Sequence, residues 1–275
     1  MEILVLGAGG GLGRLVCAEL AARGHRVLTA TRREARDAEA LARIAIRAVA
    51  IIDCAGASVA LGIGHGWRGY RAVDTPIGLA AAAAARRTGA RLVYVGVHHP
   101  PALARTPYIA AHERVVAAMR DIDGVVVRAT GFYSAFAGLL PLARRGLLTD
   151  IGSGDARTNP IAEHELAAIV AECAFGSGPR EISAGGPQVL TRREIFELVA
   201  DAAGRPGRVI RLPVWLAAAG SSALALVHPR IGQFARFAVG LARHDVIAPA
   251  LGVMPLGDYL DAARRDLRAK SSSAA

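Results

Sequence analysis

The sequence has 275 residues, of which 53% are hydrophobic and 20% are charged, a composition that excludes an intrinsically disordered chain. The formal net charge is +10, but the arginines are scattered and form no basic stripe with aromatic residues, which argues against a nucleic-acid-binding protein. Cys17, Cys54 and Cys173 lack the spacings of zinc or redox sites, so we predict no metal and buried thiols in a reducing cytoplasm.

The first half of the chain alternates short apolar runs with helical segments. The apolar runs are ILVLG (3–7), HRVLTA (25–30), VAIIDCAG (49–56), ARLVYVG (90–96) and GVVVRATG (124–131), and the helical segments are 12–23, 77–88 and 108–120. This alternation predicts an α/β fold with a doubly wound parallel sheet of the Rossmann type. Residues 31–50 have room for mainly one helix, over about 38–47, so one strand–helix step after the second strand is predicted to be missing.

The pattern changes after residue 145. A helix is predicted from Glu163, a short strand at 181–183, and a helix that begins at Thr191, because Thr191 and Glu194 have the spacing of a capping box. We therefore predict a Rossmann domain over 1–145, a smaller and mostly helical lobe interleaved with it over 146–270, and a disordered tail over 271–275.

Two segments of the sequence are candidates for contact with a membrane. The amino terminus, MEILVLGAGG, lacks the features of a signal peptide. The apolar segment 213–227 is too short to span a bilayer, so we predict a buried helix and no stable membrane insertion, with peripheral attachment to a membrane as the alternative.

The glycine turn GAGGGLG lies directly between the first strand and the first helix. In this position the amides of a helix amino terminus can hold a pyrophosphate without a side-chain clash. Gly7, Gly10 and Gly13 satisfy one spacing and Gly7, Gly11 and Gly13 another, so the subtype stays open, and Leu12 occupies the place where a plain G-x-G-x-x-G motif would end.

The residues after the second strand distinguish between nicotinamide cofactors. Arg32 and Arg33 stand where an acidic residue would bind a ribose diol and a basic residue would accept a 2′-phosphate. This favours NADP(H) over NAD(H). The alternative is that both arginines simply open a solvated helix in an arginine-rich chain.

Three motifs together resemble those of one known family: the glycine turn, the segment DCAG (53–56) and Tyr108-x-x-x-His112. The family is the atypical short-chain dehydrogenase/reductase superfamily, and the resemblance is in particular to its NmrA-like NAD(P)-binding branch. The segments VVVRATGFY, TNPIAEHELA and GGPQVLTRREIFELVADAAGR extend the resemblance over residues 2–214. The resemblance implies cofactor binding by the glycine turn and by Ala55 and Gly56. Asp53, at the end of its strand, is expected to cap the following turn.

The resemblance also implies a tyrosine acid/base whose pKa is lowered by a lysine, with a serine nearby. Tyr108 fits the tyrosine position, whereas His112 replaces the lysine and Gly96-Val97-His98 replaces the serine. At i and i+4 of one helix face, an imidazolium of His112 could stabilise the phenolate of Tyr108, and His98 could donate to a carbonyl oxygen. The alternative is that His112 is an ordinary pocket-wall or surface histidine.

Three further residues are predicted to contact a substrate. Phe132 and Tyr133 occupy the loop that, by resemblance, covers the nicotinamide, and His65 lies in a glycine-rich loop after the preceding strand. The aromatic residues favour an apolar small-molecule substrate.

The leading hypothesis is an NADP(H)-dependent oxidoreductase acting on a small or medium-sized carbonyl or enone. The alternatives are a non-catalytic NADP(H)-binding sensor or scaffold, and a redox-neutral epimerase or cyclase on the same fold. The sequence leaves the substrate, the direction of hydride transfer and the oligomeric state open.

Overall fold

A central parallel sheet organises the molecule. The computed structural model describes residues 1–56, 67–176 and 178–272. Six strands form the main sheet in the order β2-β1-β3-β4-β5-β8, and every neighbouring pair is parallel. The Rossmann-type doubly wound sheet predicted from the sequence is therefore confirmed.

The strands are β1 (Glu2–Leu6), β2 (Arg26–Thr29), β3 (Ala48–Asp53), β4 (Arg91–Val97), β5 (Gly124–Ala129), β6 (Thr149–Ile151), β7 (Arg157–Thr158), β8 (Glu181–Ala184), β9 (Leu190–Thr191) and β10 (Ile210–Leu212). The helices are α1 (Gly11–Ala22), α2 (Ala38–Ile44), α3 (Tyr70–Thr88), α4 (Pro107–Ala118), α5 (Tyr133–Ala137), α6 (Leu140–Arg144), α7 (Glu163–Glu172), α8 (Arg192–Ala202), α9 (Val214–Val227), α10 (Pro229–Leu241) and α11 (Leu256–Ser272). Short 3-10 turns cover Glu34–Arg36 and Pro101–Leu103.

The predicted loss of one strand–helix step is confirmed at the β2 edge. Residues 30–47 are all described, and they form only a 3-10 turn and α2 before β3 begins. Asp37 caps α2, because its side chain accepts hydrogen bonds from the amides of Glu39 and Ala40. The chain therefore returns directly to β3 beside β1, and β2 stays at the edge of the sheet.

Apolar layers cover both faces of the sheet. Side chains of β1, β3 and β4 such as Leu4, Ile51 and Leu92 pack against α2, α3 and α4, whereas alternate residues such as Ile3 and Val93 pack against α1 and α7. This two-sided burial explains why the strands are continuous apolar runs.

Helix α3 begins at Tyr70 rather than at the predicted Ile77, and it contains Pro76. The amide of Tyr70 donates to Oε1 of Gln233 on α10 at 3.1 Å, and the Tyr70 ring is fully buried. This distant cap and the buried ring stabilise a first turn that Pro76 would disfavour, and neither is visible in the local sequence.

The second half of the chain builds a lobe around α5, α6, α8 and α11, with its own buried cluster that includes Leu140, Ile195 and Leu256. The predicted capping box at Thr191 and Glu194 is present at the start of α8. Strand β8 comes from this half but completes the main sheet. Helix α11 continues through Ser272, two residues into the predicted tail, and 273–275 lie outside the described residues.

Candidate active site

The candidate site lies at the carboxyl edge of the main sheet. Chain order reverses between β1 and β3, because β1 leads to β2 on one side while β3 returns on the other. In open α/β sheets the crevice at such a reversal is where ligands bind. The glycine turn leaves β1 at this crevice, and Cys54, Ala55 and Gly56 leave β3 beside it.

Two glycines of the turn are required by contact with backbone. Gly7 has a φ of +75°, and a Cβ there would lie 2.8 Å from the Ala55 backbone. A Cβ at Gly13 would lie 2.1 Å from the carbonyl oxygen of Gly7. A Cβ at Gly10 would lie 3.1 Å from the same oxygen, whereas Gly11 has nothing within 4 Å. Contact in this fold therefore favours the spacing of Gly7, Gly10 and Gly13.

The first turn of α1 is open to an anion. Gly10 is its N-cap, no acidic residue lies in the first turn, and Gly9, Gly10 and Gly11 are exposed. The guanidinium of Arg14 folds back and donates to the carbonyl oxygen of Gly9 at 2.9 Å, which adds positive charge beside the turn. Helix amides, an adjacent cation and absent side chains are the features of a phosphate site.

Arg32 and Arg33 are exposed beyond the end of β2. Thr31 and Glu34 fix the turn that presents them, because the amide and hydroxyl of Thr31 donate to Oε2 of Glu34 at 2.8 and 2.7 Å. Among the described residues, neither arginine forms an ion pair. Both guanidinium groups are thus available to a ligand on the same edge of the sheet as the glycine turn.

Asp53 ends β3 and confirms the expected cap. Its Oδ1 accepts from the amide of Ala55 at 2.9 Å, which holds Ala55 against Gly7. Oδ2 is buried and has no hydrogen-bond partner within the described part of the chain. Burial raises the pKa of this carboxyl to about 7, with a further contribution from Asp74.

Tyr108 lies at the start of α4 in a cluster of aromatic rings. Its ring centroid lies 4.6 Å from that of Tyr70, 4.9 Å from that of Phe237 and 5.0 Å from that of His112. Burial raises the pKa of the Tyr108 phenol above its ordinary value, and Asp74 and Tyr70 raise it further. The acid/base tyrosine that the resemblance implies needs the opposite shift.

His112 does not supply the charge expected of it. The side chain is buried, Nδ1 lies 2.7 Å from the hydroxyl of Tyr94 on β4, and Nε2 has no partner among the described residues. Burial lowers the pKa of His112 to about 4, an effect that Glu113 opposes and Arg128 reinforces. A histidine with this pKa is neutral at neutral pH, which argues against an imidazolium at the lysine position.

His98 is also engaged with protein. Its Nδ1 lies 3.0 Å from Oγ of Ser183 on β8, and burial lowers its pKa although a hydrogen bond with the Ile247 backbone opposes that shift. The residue lines a cleft of about 200 Å³ with His99, Glu113, Arg128 and Glu181. Within this lining, Arg128 forms ion pairs of 2.6 Å with Glu113 and 2.9 Å with Glu181. His98 thus contacts β8 through Nδ1 and also lines the cleft, and its expected role as a donor to a carbonyl oxygen stays a prediction.

The three predicted substrate residues have different outcomes. Tyr133 is fully buried, and its hydroxyl donates to the carbonyl oxygen of Met254 at 2.7 Å, so within the carboxy-terminal lobe it connects α5 to the segment before α11. Burial raises the pKa of Tyr133 to about 12. Phe132 is half-buried at the N-cap of α5, directly after the β5 turn. His65 lies outside the described residues.

The sequence interpretation missed Tyr94, Arg14 and Phe237. Tyr94 could have been inferred from the sequence, because it lies on an apolar strand two residues before the position of the absent serine. The same alternation places it on the sheet face that α4 covers. Phe237 could not be inferred, because it reaches Tyr108 from α10, more than a hundred residues along the chain. Within the described ranges, no group of histidine, cysteine and acidic residues is arranged to hold a metal ion.

Comparison with solved structures shows the same architecture over almost the whole chain. A human epimerase family protein with NADPH superposes with a TM-score of 0.70 at 21% identity, covering 97% of this chain and 100% of that one. Citrobacter sp. triphenylmethane reductase complexed with NADP(H) gives a TM-score of 0.70 at 16% identity, covering 96% and 100%. The chain therefore shares the Rossmann-type fold of these two NADP(H)-bound structures.

Sequence comparison adds a relative with a named activity. No protein-family model matches the sequence. The chloroplastic divinyl chlorophyllide a 8-vinyl-reductase of Zea mays is 29% identical in an alignment of length 253 that covers 77% of this chain and 62% of that protein. The chain thus spans less than two thirds of the length of the maize relative.

Proposed function

We propose that this protein is an NADP(H)-dependent reductase that adds hydride to a polarised carbon–carbon double bond in an apolar substrate. The glycine turn, seated against Ala55 at the sheet reversal, is the observation that carries cofactor binding. The amide groups of Gly10 and Gly11 and the guanidinium of Arg14 would hold the pyrophosphate, and Arg32 and Arg33 would hold the 2′-phosphate. The NADP(H) complexes of structural neighbours support this choice.

The state of Tyr108 and His112 supports the double-bond substrate. Reduction of a saturated carbonyl needs an acid that protonates an alkoxide in step with hydride arrival, and a phenol of raised pKa beside a neutral imidazole is a poor donor. Hydride addition to a conjugated double bond gives a stabilised carbanion that water can protonate. When bound, NADPH supplies the hydride. The protein then needs to bind, orient and shield rather than to donate a proton from Tyr108.

Two partly exposed aromatic rings support an apolar substrate. Tyr108 and Phe132 both follow main-sheet strands at the carboxyl edge, and both are only partly buried. Such rings offer flat apolar contact with limited loss of rotamer freedom. The vinyl-reductase activity named for the maize relative belongs to the same class of reaction, reduction of a carbon–carbon double bond.

A non-catalytic NADP(H)-binding protein is the second candidate, favoured by the hydrogen bond that commits His112 to Tyr94 inside the core. Both candidates require cofactor binding, and only the first requires oxidation of NADPH by a substrate. An epimerase of the same fold would instead convert its substrate without net consumption of NADPH.

Cofactor binding is tested by titrating the protein with NADPH and NADH and following the fluorescence of the nucleotide. Arg32→Ala and Arg33→Ala are each expected to weaken NADPH binding about tenfold while changing NADH binding less than about twofold, because only NADPH carries the 2′-phosphate. Arg47→Ala is the matched control, since Arg47 is exposed at the opposite, amino edge of the sheet. Absence of binding to either nucleotide would contradict the proposal.

Turnover is tested with an enone and the saturated ketone of the same skeleton. We expect NADPH oxidation with the enone to exceed that with the ketone by at least about tenfold, because only the ketone needs an acid at oxygen. Equal rates, or faster reduction of the ketone, would show that a proton donor acts at the carbonyl. Tight NADPH binding with no turnover across a series of apolar enones would favour the non-catalytic candidate.

A further inference from the structure

Helix α9 exposes an apolar face in the carboxy-terminal half. Its 14 residues contain no charged side chain, and it packs on α10 through a face that includes Ala217 and Ser221. The opposite, exposed face is formed by Trp215, Leu216, Ala219, Ala223, Leu226 and Val227. The exposed fraction of Leu226 is 87% and that of Trp215 is 71%. Helix faces of this kind normally lie against another apolar surface.

Two polar side-chain groups lie on or beside this face, the hydroxyl of Ser222 and the indole N–H of Trp215. The hydroxyl of Ser222 donates to the carbonyl oxygen of Ala218 at 3.2 Å, so its proton is already bonded within α9. The exposed face therefore presents few polar groups that removal of water would leave without a partner.

Both tryptophans of the chain border this helix. Trp215 is the second residue of α9, and the ring centroid of Trp67 lies 5.0 Å from that of His228, which directly follows α9. The exposed fraction of Trp67 is 59%. Tryptophan is enriched at the boundary between a bilayer and water, where an apolar ring body and a polar N–H are both accommodated.

The chain segments that flank α9 carry charge of one sign. Between Asp201 and Asp245 the chain has six arginines and no acidic residue, a net charge of +6. Arg208 and Arg211 are exposed just before α9, and Arg236 is exposed on α10. In the described part of the chain Arg208 and Arg236 form no ion pair, so their charge is available to an external anionic surface.

We propose that α9 attaches the protein peripherally to an anionic lipid bilayer, with Trp215, Leu226 and Val227 in the interface and the surrounding arginines at the headgroups. Apolar burial and electrostatic attraction together are the two contributions that hold interfacial helices. The described helices include none long and apolar enough to cross a membrane, so the attachment is to one leaflet.

A second copy of the chain fits this surface less well. Symmetric packing of α9 on α9 would bring two surfaces of net positive charge together, with no carboxylate between Asp201 and Asp245 to neutralise them.

The position of α9 in the fold also suits an enzyme that acts on an apolar substrate. On its other side α10 contacts α4, where Phe237 lies 4.9 Å from the ring of Tyr108, so the attached surface is one helix away from the candidate active site.

The test uses the full chain with vesicles of phosphatidylcholine alone and with vesicles in which part of that lipid is replaced by phosphatidylglycerol. Because both tryptophans border α9, intrinsic fluorescence reports directly on this surface. We expect a blue shift and co-sedimentation with the anionic vesicles, at least about tenfold weaker with neutral vesicles and weakened by added salt. Trp67→Phe is expected to retain the blue shift, which assigns it to Trp215.

Variants separate insertion of α9 from general adsorption of a basic protein. Leu226→Gln with Val227→Gln is expected to weaken binding to anionic vesicles at least about tenfold, because two apolar side chains would no longer leave water. Ile46→Gln is the matched control, since Ile46 is 71% exposed at the amino edge of the sheet, and it is expected to bind normally. NADPH binding confirms that each variant is folded.

Three results would overturn the proposal. The first is unchanged tryptophan emission with anionic vesicles. The second is equal vesicle binding by the Leu226→Gln, Val227→Gln variant and the parent chain, which would indicate adsorption by charge at another surface. The third is self-association in solution that the same variant abolishes, which would assign the α9 face to a second copy of the chain.

Discussion

The glycine turn and the Tyr108–His112 region lie at one edge of the same sheet, yet they depend on different parts of the polypeptide. At the turn, the backbone makes the site: Gly7 and Gly13 allow close contacts, and the amides that start α1 are exposed. At Tyr108 and His112, side chains would have to make the site, and they are instead packed and uncharged. A ligand site made of backbone persists through substitutions elsewhere, whereas acid/base chemistry is lost with one or two residues.

The largest expected effect on stability comes from a substitution in the glycine turn. Gly13→Ala should lower the free energy of unfolding by about 3 kcal/mol, because its Cβ would collide with rigid backbone rather than with a movable side chain. Gly11→Ala is the control, with open space around its Cβ, and should change stability by less than about 1 kcal/mol. Urea unfolding of both variants measures the difference. A similar loss of unfolding free energy in both variants would mean that the close contact between Gly13 and Gly7 is not what requires glycine in the turn.

The next largest effect is expected from Tyr94→Phe, which tests whether His112 serves packing or the cofactor site. Tyr94→Phe removes the partner of buried Nδ1, and should lower the free energy of unfolding by about 2 kcal/mol while leaving NADPH affinity within about twofold. Urea unfolding and nucleotide titration of one preparation give both numbers. If NADPH affinity instead falls sharply with little loss of stability, the Tyr94–His112 pair belongs to the cofactor site and the distinction between the two regions fails.

A smaller effect is expected in the pH dependence of stability, where Asp53 and His112 act in opposite directions. The folded state retains a proton on Asp53 that the unfolded state releases, so this contribution is present near pH 4 and is lost as pH rises to about 7. The unfolded state binds a proton on His112 that the folded state excludes, so that contribution is lost as pH falls from about 6.5 to about 4.

Substitutions should separate these two slopes. Relative to the parent chain, Asp53→Asn should become more stable as pH rises from about 4 to about 6.5, and His112→Gln less stable, each by up to about 1.4 kcal/mol per pH unit. Urea midpoints at several pH values measure the slopes. Parallel curves for the two variants would mean that neither group is shifted as its burial requires.

The smallest effect is expected at Tyr108. Tyr108→Phe should change turnover of an enone by less than about tenfold and stability by less than about 1 kcal/mol, because the ring contacts remain and the phenol is a poor acid. Initial rates over a pH series provide the measurement. A loss of about a thousandfold, together with a changed pH profile, would restore Tyr108 as the general acid.

The sequence-based predictions were accurate where the interactions involved join residues close together in the sequence, and failed where they join distant residues. Strand–turn–helix order, the missing step before β3 and the capping box at Thr191 depend on residues within a few positions of one another, and all are confirmed. The start of α3 depends on Gln233, and the burial of Tyr133 depends on Met254, so a local pattern could not predict either. The cofactor and substrate contacts of these residues remain predictions.

The sequence by itself determined the sheet, the glycine turn and the pair of arginines after β2, because apolar periodicity, glycine spacing and charge are properties of short segments. Only the tertiary structure decided the state of the side chains in the crevice. The charge of His112, the acidity of Tyr108 and the carboxyl of Asp53 depend on how much water and which neighbours surround each group. Those neighbours come from β4, α3 and α10, and packing alone brings them together.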